Sequence, residues 1–389
     1  MSKQQTLCTT KPRVRLDYLD GLRGIMAINV VLNHFIVVFF PGIFYTSNGI
    51  NLFNSTPIQA AYNGAVAVSY FFTLSGFLTA YFMLQKTKIT IKDVVNKSIK
   101  RYFRLLPIVV FTVMLTYILM EFNLLYHLKI DRELLTLYCN FQPTFLSALK
   151  DAFIDTFLTS SDYVGPFWFV RFDFFGYIIT LTTLYAIKKI PAFYPYRRIF
   201  MIACVFVYSY VSVQLTAFSL GILLADVYIG DETILSRHYN LRNKWIVWIS
   251  GIIGVYLITI PTTFVGIWKP LETISLFKHT RFWCGLGWAL CLWFLFNSER
   301  LKKFLTSKVF LFLGKISFPI YAVHWVCMLS LQDFLFFHFS RTMDYTVAAI
   351  LSFVIVLPII IVFAYFVWWM LEKNKPIERI SKLLTKKAE

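Results

Sequence analysis

Charge is scarce in this sequence. Only 15% of its 389 residues are Asp, Glu, Lys or Arg, against roughly a quarter in soluble domains. With 58% of the chain hydrophobic, there is too little polar surface to wrap a large soluble core. The six cysteines form no CxxC pair and no metal-ligand spacing. At least four lie in apolar stretches, where a thiol is a small hydrophobe. A disulfide framework and a zinc site are thereby excluded. No internal repeat, low-complexity run or long linker divides the chain. The first apolar run lacks an A-x-A-like exit, so the expectation is a retained first span, not a cleaved leader.

What is present in abundance is apolar sequence in blocks of about 20 residues, the length a membrane helix needs. Ten blocks are expected to span, at roughly 23–41, 64–84, 104–122, 165–187, 199–213, 215–229, 245–264, 281–297, 309–332 and 346–371. The fifth and sixth are short and nearly fused near Val213, so one span plus a re-entrant piece is an alternative. Gly314, Ser317 and Pro319 predict a kink in the ninth. The fold class is an all-α, polytopic membrane bundle. Aromatic residues make up 19% of the chain, as in proteins with interfacial belts.

The net charge of +18 is distributed by loop, which argues against nucleic acid as a partner. Alternate connections and the two ends hold 30 of the 38 Lys and Arg residues, whereas the 42–63 connection has no charge at all. The positive-inside rule places both termini and the basic connections in the cytoplasm. Ten spans agree with that. The basic N-terminus carries Lys3, Lys11, Arg13 and Arg15. The sizeable connection 123–164, with Asp131, Glu133, Asp151, Asp155 and Asp162, is expected outside. Asn54-Ser55-Thr56 on the same side matches a glycosylation sequon followed by Pro57.

Four runs could carry chemistry. Arg23 and His34 are eleven residues apart, close to three helical turns, so Arg23, Ala27, Val30 and His34 share a stripe with Asp20 near it. An imidazole about 16 Å below a cation is costly in a membrane helix and marks a functional position or a satisfied structural one. Lys100-Arg101-Tyr102-Phe103-Arg104 puts two guanidiniums on one face, suited either to phosphate oxygens or to anionic lipid. Asp173 follows Gly165-Pro166-Phe167-Trp168. It is placed either to orient His34 or to be neutralised by Arg171. Gly314 to Trp325 brings Tyr321 and His324 to i and i+3 on a broken helix, either a kinked packing element or part of a site.

In this order these runs resemble the membrane-bound acyltransferase family 3, which includes O-acetyltransferases of surface polysaccharides, peptidoglycan and lipopolysaccharide. Leu19-Asp20-Gly21-Leu22-Arg23-Gly24 with His34 is similar to the opening signature. Phe71-Phe72-Thr73-Leu74-Ser75-Gly76-Phe77-Leu78 resembles the second-span signature. Lys100 to Pro107 is similar to the Arg-rich start of span three. Trp168 with Asp173, and Gly314, Ser317, Tyr321 and His324, resemble the two later motifs. The resemblance spans 15–371. The chain departs from the pattern in having Asp173 where Glu is usual, and Lys100 where the cluster usually begins with Arg. Phe169, Arg171 and Phe174 replace polar neighbours of the carboxylate. No G-x-S-x-G is present, so the C-terminal esterase-like domain of many relatives is not expected.

The resemblance implies an O-acyltransferase of the plasma or inner membrane. Its donor would be acetyl-CoA from the cytoplasm, with no metal. Its acceptor would be a hydroxyl of an extracytoplasmic glycan or lipid-linked sugar, with separate glycan-assembly proteins as further partners. A basic tail (1–22), a membrane domain (23–371) and a second basic tail (372–389) complete the expected organisation. Lys100, Arg101, Arg104, Arg23 and Ser75 would hold the donor. His34 would act as general base or transient acyl carrier, with Asp173 and Arg23 beside it. Trp168, Tyr321 and His324 would line the acceptor site. At this stage an exporter of a glycan or lipid-linked sugar, with broken helices and midplane polar groups, remains the competing class.

Overall fold

The computed structural model describes residues 16–43, 56–130, 138–230, 241–261, 264–274 and 279–373. Lys3, Lys11, Arg13, Arg15, Asn54, Asp131 and Glu133, and the tail from 374 onward, lie outside the described residues. Among those described there is no strand. The chain begins with α1 (Asp17–Phe39), α2 (Gly64–Leu84) and α3 (Ile91–Glu121). The short α4 (Phe145–Lys150) runs through a π turn into α5 (Thr156–Leu158). Next come α6 (Trp168–Lys189), α7 (Arg197–Val211), α8 (Val213–Ile229), α9 (Lys244–Ile258) and α10 (Thr280–Phe296). The last are α11 (Glu299–Leu305), α12 (Lys308–Lys315), α13 (Ser317–Cys327), α14 (Asp333–Phe339) and α15 (Tyr345–Val367).

Among the described residues, six helical stretches are long and apolar enough to cross a membrane: α1, α2, α3 with its extension, α6 with its preceding turn, α13 through α14, and α15 with its final turn. The apolar helices α8, α9 and α10 are shorter. The outward faces are greasy. Trp248, Ile252 and Val255 of α9 and Val354, Val362 and Phe366 of α15 are exposed, a surface that only lipid tails would cover without cost. This is an all-α membrane protein.

Local chemistry sets the boundaries, and two differ from the pattern of apolar blocks. The apolar run of the third span begins at 104, but α3 starts at Ile91. A capping box does this: Asp93 N–H donates to Thr90 Oγ1 at 3.1 Å and Thr90 N–H donates to Asp93 Oδ2 at 3.0 Å. Lys86 Nζ adds a bond to Asp93 at 2.7 Å. The basic residues 97–104 therefore ride on a preformed helix. Spans five and six are two helices, divided where Ser212 becomes extended at φ −163° and ψ 119°. The ninth span is displaced. The chain breaks at Ile316 between α12 and α13, and the continuous apolar helix runs 317–339. Pro319 falls in the first turn of α13, where a missing N–H leaves no helical bond unmade.

Packing centres on α2, which lies most extensively against α8 and also meets α6, α10 and α1. Amides tie the turn at Pro57–Ala61 to this core: Asn29 Nδ2 donates to Ala60 O at 2.8 Å, Asn33 Nδ2 to Tyr62 O at 3.0 Å and Gln59 Nε2 to Thr259 O at 2.6 Å. At the other end, Arg197 and Arg198 both bond the buried Asp226, each at 2.6 Å.

The π turn between α4 and α5 buries Asp151 in the 138–164 segment. Ser161 Oγ donates to it at 2.7 Å and the Asp162 N–H at 3.2 Å. These bonds favour the carboxylate, but loss of water outweighs them, and burial pushes the Asp151 carboxyl up to about 6. A group with a raised folded pKa stabilises the fold fully below its unfolded value of about 4, and that contribution is lost as pH rises through about 6. Segment 138–164 is therefore expected to open less readily at about pH 4 than at about pH 7.5, by at most about 3 kcal/mol. Hydrogen-exchange protection factors check this. Asp151→Asn should flatten the dependence; an unaltered slope would assign it to another group.

Candidate active site

A cavity of about 790 Å³ opens among α1, α2, α3, α6, α12, α13 and the turn that follows α15. Its lining is strongly charged. Asp20 and Arg23 come from the first turns of α1, Lys97, Lys100 and Arg104 from α3, Lys315 from the end of α12 and Glu372 from the last helical turn. Arg23 Nη1 bonds Asp20 at 3.2 Å. Ser75, Arg101, Asp173, Tyr177, Phe169 and Tyr321 complete the wall. Of the expected donor-holding residues, Lys100, Arg101, Arg104, Arg23 and Ser75 all reach this one cavity.

Asp173 does not orient His34. Its carboxylate is taken by Arg101, whose Nη2 donates to Oδ2 at 2.5 Å and to Oδ1 at 2.6 Å, and whose Nε donates at 3.1 Å. Ser75 Oγ adds a bond at 3.4 Å. The Arg101 guanidinium also lies 5.1 Å from the Tyr177 ring centroid. The early start of α3 creates this pairing, because it carries Arg101 up the helix face that packs on α6. Arg171 is not the neutralising partner either. Two residues along a helix is most of the way to the opposite face, and Arg171 donates to Thr159 O instead. Trp168 likewise stands clear of the cavity, edge-on to Phe172 with the Arg281 guanidinium 5.8 Å from its ring. Arg101 is thus held by a carboxylate and is no free phosphate clamp. Arg104, Lys100, Lys97 and Lys315 line the cavity as well, with the Lys315 ammonium 4.2 Å from the Trp368 ring centroid.

His34 is paired with His324. The two come from residues 290 apart, with His324 Nε2 at 3.1 Å from His34 Nδ1. Close approach of α1 to α12 sets the register. At Gly24 a Cβ would strike the backbone of Gly314, and at Gly314 one would strike the carbonyl of Asp20, so only glycine lets these backbones meet. The hydrogen bonds assign the tautomers. His324 Nδ1 faces only carbonyl oxygens, those of Tyr321 at 2.7 Å and Ile320 at 3.2 Å. It therefore carries the proton, and its Nε2 accepts. His34 Nδ1 faces the Val30 carbonyl at 3.0 Å and that accepting nitrogen. It too carries the proton. The lone pair of His34 lies on Nε2, which makes no hydrogen bond among the described residues. Two neutral imidazoles in series leave one basic nitrogen open.

His34 does not line the basic cavity; Tyr321, whose ring lies beside that of its partner His324, does. Tyr321 faces the cavity, its ring centroid is 5.9 Å from that of His324, and its phenol donates to the Pro166 carbonyl. The turn Gly165–Phe167 therefore fixes the ring that closes the cavity toward the histidines. Four residues beyond the expected set shape the site: Lys97, Lys315, Tyr177 and Glu372. Lys315 sits inside a run already conspicuous in the sequence; Tyr177 and Glu372 carried no signal there.

The Arg101–Asp173 pair is nearly buried, with side chains 19% and 7% exposed. Removing one partner strands the other charge, at a cost of about 3–5 kcal/mol. Arg101→Ala and Asp173→Ala should each lower the thermal midpoint of the purified protein. The double variant should lose less than the sum of the two. Strict additivity would mean the two side chains do not act as a pair.

The comparisons with known proteins agree with this architecture. No curated protein and no solved structure matches the chain. Residues 16–369 match the third acyltransferase family, described as "Acyltransferase domain", a span that takes in α1 through α15 and every residue of the cavity except Glu372. The chain belongs to the membrane-bound acyltransferase family 3 and is an acyltransferase.

Proposed function

We propose that this protein moves an acetyl group from cytoplasmic acetyl-CoA to a hydroxyl of an extracytoplasmic glycan or lipid-linked sugar, and that His34 is the general base. The observation that carries the reading is the open Nε2 of a neutral His34, lying just behind the closed end of a basic cavity. An imidazole so arranged can take a proton only from something placed at that nitrogen. The basic mouth fits a donor with several phosphates. The positive-inside distribution supports a cytoplasmic position for that mouth, on the side of the donor.

In this reading Arg104, Lys100, Lys97 and Lys315 hold the phosphates, and Arg23, tethered to Asp20, flanks the pantetheine path. Arg101 and Asp173 fix α3 against α6 and keep the cavity wall in place. The acyl end reaches His34 when Tyr321 swings from Pro166. The acceptor hydroxyl gives its proton to His34 Nε2 as its oxygen attacks the thioester carbon. The imidazolium so formed is stabilised by Nδ1–H bonds to Val30 O and to His324. The thiolate leaves and recovers the proton. His324 is a positioning residue, as the buried carboxylate is in other His-centred sites. Base catalysis is favoured over an acyl-histidine, because attack by the ring itself would turn Nε2 into an amide nitrogen within a tightly packed pair.

His34→Ala is expected to lower acetylation of the cell-surface glycan by about 10²–10⁴-fold while membrane insertion stays normal. Mass spectrometry of the glycan reads this, and full acetylation would remove the base assignment. Arg104→Ala combined with Lys100→Ala should raise the KM for acetyl-CoA about tenfold or more with kcat little changed. An unaltered donor KM in purified protein would exclude the phosphate role.

A further inference from the structure

The reading above accounts for the proton but leaves the thioester oxygen without a partner. Trp325 follows His324 directly in the chain. Its ring meets His34 edge-on with centroids 5.2 Å apart, and it also meets the Tyr138 ring edge-on at 5.1 Å. The side chain is 3% exposed, yet its indole Nε1–H has no hydrogen-bond partner. A buried donor left unmade costs about 1–3 kcal/mol, and such groups are uncommon enough to require an explanation. The ring is held firmly. At Gly165 a Cβ would collide with Tyr138, so the glycine opening the Gly165–Phe167 turn admits the ring that braces Trp325. The Tyr138 backbone is fixed in turn through His127 Nε2 at 2.9 Å from its carbonyl. The structure thus offers an immobile donor with no acceptor, next to a base with no acid.

We propose that the Trp325 indole N–H is a catalytic residue that receives the developing oxyanion of the acyl group. This inference rests on His34 being the base. The acceptor oxygen bonds to the acyl carbon while its proton passes to His34 Nε2. The carbonyl π pair moves onto oxygen, which the Trp325 N–H holds. The pair returns, the carbon–sulfur bond breaks, and the thiolate takes the proton from His34 to give free CoA and the ester. A neutral N–H costs far less to keep in a low-dielectric bundle than a cation does, and its hydrogen bond is stronger there than in water.

The test replaces the N–H alone. Trp325 is exchanged for 3-benzothienylalanine, which keeps the bicyclic shape and has sulfur in place of N–H, and the protein is assayed in liposomes with acetyl-CoA as donor and methyl glucoside as acceptor. The expected result is a loss of about 10²-fold in kcat, with the donor KM and the pH inflection unchanged and the thermal midpoint no lower. Wild-type kcat would overturn the proposal. So would a shifted pH inflection, which would mean that the indole acts on His34 instead of the substrate. A rise in acceptor KM with kcat intact would also overturn it, assigning the N–H to the acceptor hydroxyl. His34→Ala is measured alongside. If that variant is dead and the benzothienyl variant is fast, only the oxyanion role fails. If His34→Ala is active, the base assignment itself falls.

Discussion

Inside a membrane bundle a polar side chain has no water to fall back on, so each must find its partner within the protein or bind a substrate. The histidine pair is where this constraint bears hardest. Carbonyls of Tyr321 and Ile320 hold the proton of His324 on Nδ1, His324 offers a lone pair to His34, and His34 is left with its own lone pair on Nε2. Nothing charged is needed, so no ion has to be carried into the hydrocarbon. A carboxylate in the place of His324 would carry a desolvation cost of several kcal/mol. The nearly buried ion pair in the wall, Arg101 with Asp173, pairs charge with charge.

The two halves of the site are built by different devices. The basic cavity depends on helix starts: the Thr90–Asp93 box extends α3 and lifts Lys97, Lys100, Arg101 and Arg104 onto one rigid element. The histidine pair depends on close backbone approach, since Gly24 and Gly314 let α1 and α12 touch and α13 follows directly. Tyr321 belongs to both, facing the cavity with its ring and leaning on His324. Its hold on the Pro166 carbonyl links the α6 entry turn to the boundary between the compartments.

Much was legible in the chain before any coordinates. The all-α membrane class followed from charge scarcity and block length. Arg23 and His34 share a stripe because eleven residues close three turns, and Tyr321 and His324 share one because three residues nearly close one. Five of the expected donor residues reach one cavity: Arg23 near the start of α1, Ser75 within α2, and Lys100, Arg101 and Arg104 on α3. The family motifs carried the rest, for a glycine or serine signature needs no long-range knowledge.

What the sequence by itself determined is which residues sit on which helix face, since periodicity and capping are local. Only the tertiary structure decided who meets whom. Asp173 looked as available to His34 as to Arg171, and it bonds Arg101 because α3 begins earlier than its apolar run and packs on α6. His324 pairs with His34 across 290 residues because two glycines set the register between helices, and no local pattern encodes that distance. The unpaired indole of Trp325 is likewise a property of the packing. Whether a donor is satisfied depends on every neighbour at once, and those neighbours come from α1, α13 and the segment holding Tyr138.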